Sequence, residues 1–163
     1  MNQQINQNLK TVKKQTDKVK KPNQNVKLVA ITKTRSPEEI SAAIAGGVIS
    51  IGENRVQEAE QKFTDIPKIK DIEKRLVGNL QSNKIKKAVQ LFDTIDSVGS
   101  TKLAKKISKA ATAIEKKQRV LVQVNTSNEN TKSGFDRGDI GGILKCFDFS
   151  GIKVEGLMTI GPT

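Results

Sequence analysis

Strand-like runs that alternate with helix-like segments predict an α/β fold built on a parallel sheet, and the way those runs end predicts a TIM (β/α)8 barrel, incomplete, with about six strand–helix units after an N-terminal helix. Three observations carry this expectation. Successive strand-like runs are separated by helix-length chain with no hairpin signal, so neighbouring strands run parallel. No glycine-rich phosphate turn follows the first strand, as an open doubly wound sheet would normally show. Polar or charged residues close nearly every run: Lys33, Asn54, Asn79, Asn125 and Thr159. In a barrel those ends gather on one face, which is where barrel chemistry sits. The open doubly wound sheet is the competing arrangement.

Each element has its own signature. Ile5, Leu9, Val12 and Val19 recur at helical spacing over residues 3–20, and Pro22 stops that helix. The run Lys27 to Thr32 is apolar on both faces, as a covered parallel strand should be. Ser36, Pro37 and Glu39 supply an N-cap, a first helical residue and the return partner of a capping box. Ile40, Ala43 and Ile44 give that helix its buried face, and Gly46 and Gly47 end it. The strand 48-VISIGEN-54 precedes a short helix bearing Val56, Ala59 and Phe63, broken by Pro67. The strand 75-RLVGN-79 leads to a helix with Ile85, Ala88 and Val89. The strand 91-LFDTIDSV-98 leads through Ser100, an N-cap, to a helix with Leu103, Ile107, Ala110 and Ile114. The strand 119-RVLVQVN-125 is followed by a polar loop over 126–139 and a helix around Ile140 to Phe147. The last strand is 153-KVEGLMTI-160.

Composition narrows the function classes. At 163 residues the chain has length for one good core. It holds no Trp, Tyr or His, so aliphatic residues and five Phe must fill that core. Lys and Arg outnumber Asp and Glu by 29 to 17, a formal charge of +12 that would draw the chain towards nucleic acid or anionic surfaces. The lysines, however, fall at helix-surface spacings, with no aromatics among them to stack bases. The lone Cys146 excludes an intramolecular disulfide, suits a reducing cytoplasm, and has no His to activate it as a nucleophile. No run reaches membrane-spanning length. No cluster of Cys, His and carboxylates has metal-ligand spacing. Asp93, Asp96 and Asp148 stand where caps and surface charges are common, and the pair Glu53 and Glu58 shows no acid–base role.

Five segments in order, 29-VAITKT-34, 52-GENRVQE-58, 78-GNLQSNK-84, 124-VNTSNENTKSGF-135 and 156-GLMTI-160, resemble the signatures of the YggS-type pyridoxal phosphate homeostasis family, relatives of the N-terminal barrel of alanine racemase. Each motif alone is weak, but five in register are specific. The resemblance implies a pyridoxal 5'-phosphate cofactor held as a Schiff base on Lys33. It places Asn54 near the cofactor ring and Met158 and Thr159 at a strand end bordering the same pocket. It sets Asn79, Gln81, Lys84, Lys132, Ser133 and Gly134 around the mouth. Two departures stand out. Family members carry an aromatic and a His where this chain has Lys74 and Arg75, so Arg75 is either a surface charge or an inward replacement for the His. The family also continues through two further strand–helix units that hold the cofactor phosphate, so residues 1–163 read as one barrel domain lacking its last two units.

The chemistry suits the position. Partial desolvation at a strand mouth favours a free amine over an ammonium, and a free amine attacks an aldehyde. A lysine in that place can equally snorkel to solvent with its stem on the barrel rim. The expected function is therefore a cytoplasmic pyridoxal phosphate-binding protein, monomeric in its full-length parent, with no specific nucleic-acid or membrane partner. An amino-acid racemase needs acid–base groups on two faces of its substrate, and a chain without Tyr and His offers them poorly. A basic nucleic-acid-binding protein is the remaining alternative, and net charge is its only argument.

Overall fold

The computed structural model describes residues 2–66, 69–127 and 133–161. Pro67, expected to break a helix, and Lys132, expected near the mouth, lie outside those residues. Helix α1 (Asn2–Val19) packs on α2 (Pro37–Ala45), with Leu9 close against Gly46. The strands are β1 (Ala30–Ile31), β2 (Ser50–Glu53), β3 (Glu73–Leu76), β4 (Thr94–Val98), β5 (Gln118–Asn125), β6 (Phe135–Asp136) and β7 (Ile152–Met158). Between them run α3 (Val56–Thr64), α4 (Ile85–Leu91), α5 (Thr101–Thr112) and α6 (Ile140–Lys145).

Every strand pair is parallel, and the order is β1-β2-β3-β4-β5-β7, with β6 a two-residue addition beside the last residues of β5. A doubly wound sheet would reverse its order at a switch point. Here consecutive strands are neighbours all the way round, which is the winding of a barrel. Among the described residues β1 and β7 each pair on one side only. Ile31, Leu157 and Ile160, on or beside those two strands, are exposed.

The core lies between the strands' outer faces and the helices. Ile51, Leu76, Ile95, Val120 and Val122 meet Ile40, Ala59, Phe63, Ala88, Val89, Ile107 and Ala111. Phe63 and Phe92 contact edge to face, with centroids 6.0 Å apart. Local signals explain the helix ends. Ser36 and Glu39 form both halves of the capping box, and Ser100 accepts from the Leu103 amide. Gly47 turns the chain at a φ of 85°, a conformation that glycine adopts without strain.

Several boundaries differ from the sequence reading. Strand β3 starts two residues early, because Glu73 and Arg75 point into the lumen rather than to solvent. Leu91 closes α4 instead of opening β4, since the Phe92 amide still donates to Ala88. Helix α5 stops before Ile114, which is exposed. The expected helix from Ile140 to Phe147 ends at Lys145 and continues as a 3-10 turn over Cys146–Asp148. Cys146 is buried, as a helix-packing cysteine should be.

The lumen itself was not foreseen. Barrel interiors are usually filled by branched aliphatics, whereas here the layers below the mouth are ionic. Asp96, expected among caps and surface charges, is buried and takes Arg75 in a bidentate pair, Nε to Oδ2 at 2.9 Å and Nη2 to Oδ1 at 3.0 Å. Arg75 thus faces inward. Glu73 receives Ser50, Lys27, Arg75 and Arg119. Burial pushes the Asp96 carboxyl up, and Arg75 pulls it part of the way back.

Candidate functional site

Lys33 stands one residue beyond the β1 ladder, whose last bond is the Thr32 amide to the Gly52 carbonyl at 2.9 Å. The chain then turns sharply. The Arg35 amide closes on the Thr32 carbonyl at 3.0 Å, placing Lys33 and Thr34 at the two corners. Thr34 sits at φ 61°, in the left-handed region. A β-branched residue there costs about 1–3 kcal/mol and persists only where its surroundings over-determine it.

The surroundings come from β2 and α3. Glu53 is fully buried and accepts the Thr32 hydroxyl at 2.7 Å. Glu58 accepts the Thr34 amide at 2.7 Å. Lys62, one turn further along α3, donates to the Thr32 carbonyl at 2.8 Å, to Glu53 at 3.1 Å and to Glu58 at 2.6 Å. An ammonium has three protons, and these three acceptors match them. The hydrogen bond from Lys62, then that from Thr34, holds the Glu58 carboxyl below its ordinary range. Desolvation works to lower Lys62, but the two carboxylates outweigh it and raise the ammonium's pKa.

Above the ionic layers, at the carboxyl ends of the strands, lies a cavity of about 560 Å³. Ile31, Val77, Met158 and Ile160 supply apolar wall, while Asn54, Asn79, Gln123, Asn125 and Ser133 supply polar groups. Lys33 is the one titratable side chain on this wall among the described residues, and no ion pair or hydrogen bond engages its amine there. Of the residues singled out from sequence, the fold therefore brings Lys33, Asn54 and Met158, with Asn79 and Ser133 of the expected mouth, to one cavity. Thr159 lies beside that wall: its hydroxyl bonds the Val124 carbonyl at 3.0 Å and lies 2.7 Å from the Thr126 hydroxyl, joining the ends of β7 and β5. Lys33 is exposed rather than partly desolvated as expected, because nothing among the described residues covers that side of the cavity. A second, more polar cavity of about 490 Å³ shares Asn54, Gly78 and Asn79 and adds Arg55, Gln57, Gln81 and Lys84.

Two backbone approaches shape the mouth. Gly78 passes so close over Asn54 that a side chain would strike its main chain. Gly134, at φ 132°, presses on Asn125, and Gln123 anchors that loop by donating to the Ser133 carbonyl at 2.9 Å. Lys62 and Gln123 escaped the sequence reading, and Glu53 and Glu58, which it held to show no acid–base role, serve here as hydrogen-bond acceptors. The i,i+4 spacing of Glu58 and Lys62 on a helix was the available signal, and it equally describes a surface pair.

The family model described as alanine racemase, N-terminal domain, matches residues 2–163. The chain belongs to that family. Within it the chain falls in the pyridoxal phosphate homeostasis branch. It is 35% identical over 139 residues to the pyridoxal phosphate homeostasis protein of Synechocystis sp., covering 85% of this chain and 64% of the relative. It is 33% identical to that of Pasteurella multocida, covering 98% and 69%. The chain thus spans about two thirds of the length of these relatives. PipY of Synechococcus elongatus, 33% identical, superposes with a TM-score of 0.86 in a structure without PLP and 0.80 in one with PLP bound. Each superposition covers 97% of this chain and 71% of PipY. The partial barrel is therefore the fold of the alanine racemase N-terminal family.

Proposed function

We propose that the chain binds pyridoxal 5'-phosphate in the cavity at the strand ends, with Lys33 as the attaching amine, and that it serves to hold and release the cofactor. One observation carries this reading: a single unengaged amine on the wall of a half-apolar cavity, in a member of a family whose relative PipY has been solved with PLP bound. The wall suits a pyridine aldehyde. Ile31, Val77 and Met158 offer faces for the ring, and the Asn54 and Asn79 amides and the Ser133 hydroxyl offer donors for its polar substituents. The described part of this wall adds no arginine and no second lysine, so the phosphate end is not matched by these residues alone. When bound, the cofactor supplies an electron sink. The chain's own contribution is narrower. Lys33 would hold the cofactor through its amine, and the Asn54 and Asn79 amides would orient the ring.

Because Lys33 is the only titratable group on the described wall, acid–base work on two faces of a substrate has little support, and a holding role has more. Among the described residues no helix is long and apolar enough to cross a membrane. We place the protein in the cytoplasm on the strength of its lone, buried, reduced cysteine. Mixing the chain with pyridoxal phosphate should produce the visible absorbance of a Schiff base, and borohydride should fix it on Lys33 by peptide mass. Lys33→Ala should lose both signals. Retention of the absorbance in that variant, with the label on another lysine, refutes the assignment.

A further inference from the structure

We propose that Glu58 and Lys62 of α3, with Glu53 of β2, are positioning residues that fix the backbone on either side of Lys33 and so aim its amine into the cavity. This inference rests on the reading of Lys33 as the cofactor amine. The three side chains touch the residue before Lys33 and the residue after it. Lys62 and Glu53 hold the Thr32 carbonyl and hydroxyl, and Glu58 holds the Thr34 amide. None of them is bonded to the Lys33 side chain. The grip is on the root of the lysine, and the amine stays free.

Two features argue for positioning rather than cohesion. First, Glu58 and Lys62 are only half-buried, so their ion pair adds little cohesion between helix and sheet, and α3 already has Val56, Ala59 and Phe63 for that purpose. Second, the turn corner is Thr34 at φ 61°, where glycine would rest without strain. A threonine there leaves the left-handed region when its amide loses Glu58, and the Lys33 corner then rotates with it. The clamp and the strained corner make sense together: the acid holds a conformation that the sequence otherwise disfavours. A displacement near 1 Å at a reacting atom is enough to slow capture substantially.

The test uses the chain's other lysines as internal standards. Pyridoxal phosphate and borohydride are applied to the intact chain in short pulses, and labelling at each lysine is read by peptide mass, alongside a thermal melt. In Glu58→Ala, Lys33 labelling should slow about tenfold, the factor for loss of one charge-assisted hydrogen bond, while exposed lysines such as Lys102 and Lys105 keep their rates. Glu58→Gln, which retains an acceptor, should fall between. Thr34→Gly added to Glu58→Ala should restore Lys33 labelling to within about twofold of the parent, although the melt stays low, because glycine holds the corner without the acid. A merely structural Glu58 would move the melt and leave the Lys33 rate alone, and that result overturns the clamp. A double variant as slow as Glu58→Ala overturns it too. Absence of preferential Lys33 labelling in the parent chain instead refutes the cofactor assignment. Should Glu58→Ala fail to fold, Glu58→Gln with and without Thr34→Gly carries the same comparison.

Discussion

Replacing Gly78 by Ala should destabilise the protein by about 2–3 kcal/mol although the change adds one methyl group. The Val77 amide donates to the Glu53 carbonyl at 2.9 Å, and the Ser97 hydroxyl donates to the Gly78 carbonyl at 2.6 Å, so this piece of chain is held from both sides. A Cβ at Gly78 would stand 2.6 Å from Asn54 Cα and 2.8 Å from its carbonyl carbon, with the carbonyl oxygen closer still. Ordinary contact begins at 3.4 Å and the carbonyl oxygen is the nearest obstacle, so the ends of β2 and β3 must part by about 1 Å. All three obstacles are backbone and cannot rotate away. Overpacking of this kind costs about 1–3 kcal/mol, and a weakened ladder bond adds about 1 kcal/mol. Reduced freedom of the unfolded chain returns about 0.4–1 kcal/mol. The balance corresponds to a fall in Tm of about 4–12 °C for a chain of this size. Urea unfolding measures it directly, with Gly138→Ala as control, since a Cβ there meets nothing within 4 Å. The control should be neutral or gain up to about 1 kcal/mol. If Gly78→Ala matches the parent within 0.5 kcal/mol, the tight approach that sets Asn54 at the cavity is wrong.

Three further outcomes follow from the core and the lumen. For Glu73 burial alone would raise the carboxyl, but hydrogen bonds from Ser50, Lys27 and Arg119 and the charge of Arg75 bring it from 4.5 to about 2. A depressed carboxyl contributes stability that is present above its unfolded pKa and lost as pH falls from about 4.5 through 2. Solvent screening in the open lumen limits that contribution to about 1–2 kcal/mol. Glu73→Gln should flatten the acid limb of the stability–pH curve, and an unchanged limb counts against the network. Phe92→Ala should cost about 3–5 kcal/mol in denaturant unfolding, because the ring is fully buried against Phe63, while exposed Phe147→Ala should stay within about 0.5 kcal/mol. Equal losses would misplace the core. Desolvation, and then Asp139, raise the Cys146 thiol, so a thiol reagent at pH 8 should label it only as the chain unfolds. Labelling as fast as that of a free thiol would show the site to be open.

What could be read from sequence was local or repeated. The capping box at Ser36 and Glu39 and the glycine stop at Gly46 and Gly47 each depend on a few neighbouring residues, and both hold, while Lys33 lines the strand-end cavity but is exposed there. The barrel winding was legible because five units end alike. The charged lumen was not. Arg75 and Asp96 lie 21 residues apart, and nothing in either segment says that adjacent strands bring them to one face. The strand parity of Glu73 and Arg75 looks like a loop when solvent is assumed to be their partner. Glu58 and Lys62 on a short helix read as surface charges, and Glu53 at a strand end shows no acid–base pattern, until the turn beside Lys33 is seen in space. Strand β6 is two residues long and exists only through its pairing with β5, so no periodicity could announce it.

The ionic interior has a bearing on how such a sheet survives in water. An aliphatic barrel lining left uncovered along one side would behave as oil and collect other chains. Here Lys27, Arg75 and Arg119 pair with Glu73, Asp96 and Glu155 along the lining, and water can wet them without disturbing their pairing. At the two edges of the sheet, exposed apolar side chains stand at Ile31 on one side and at Leu157 and Ile160 on the other. The lining of this sheet is wettable, and its edges are apolar.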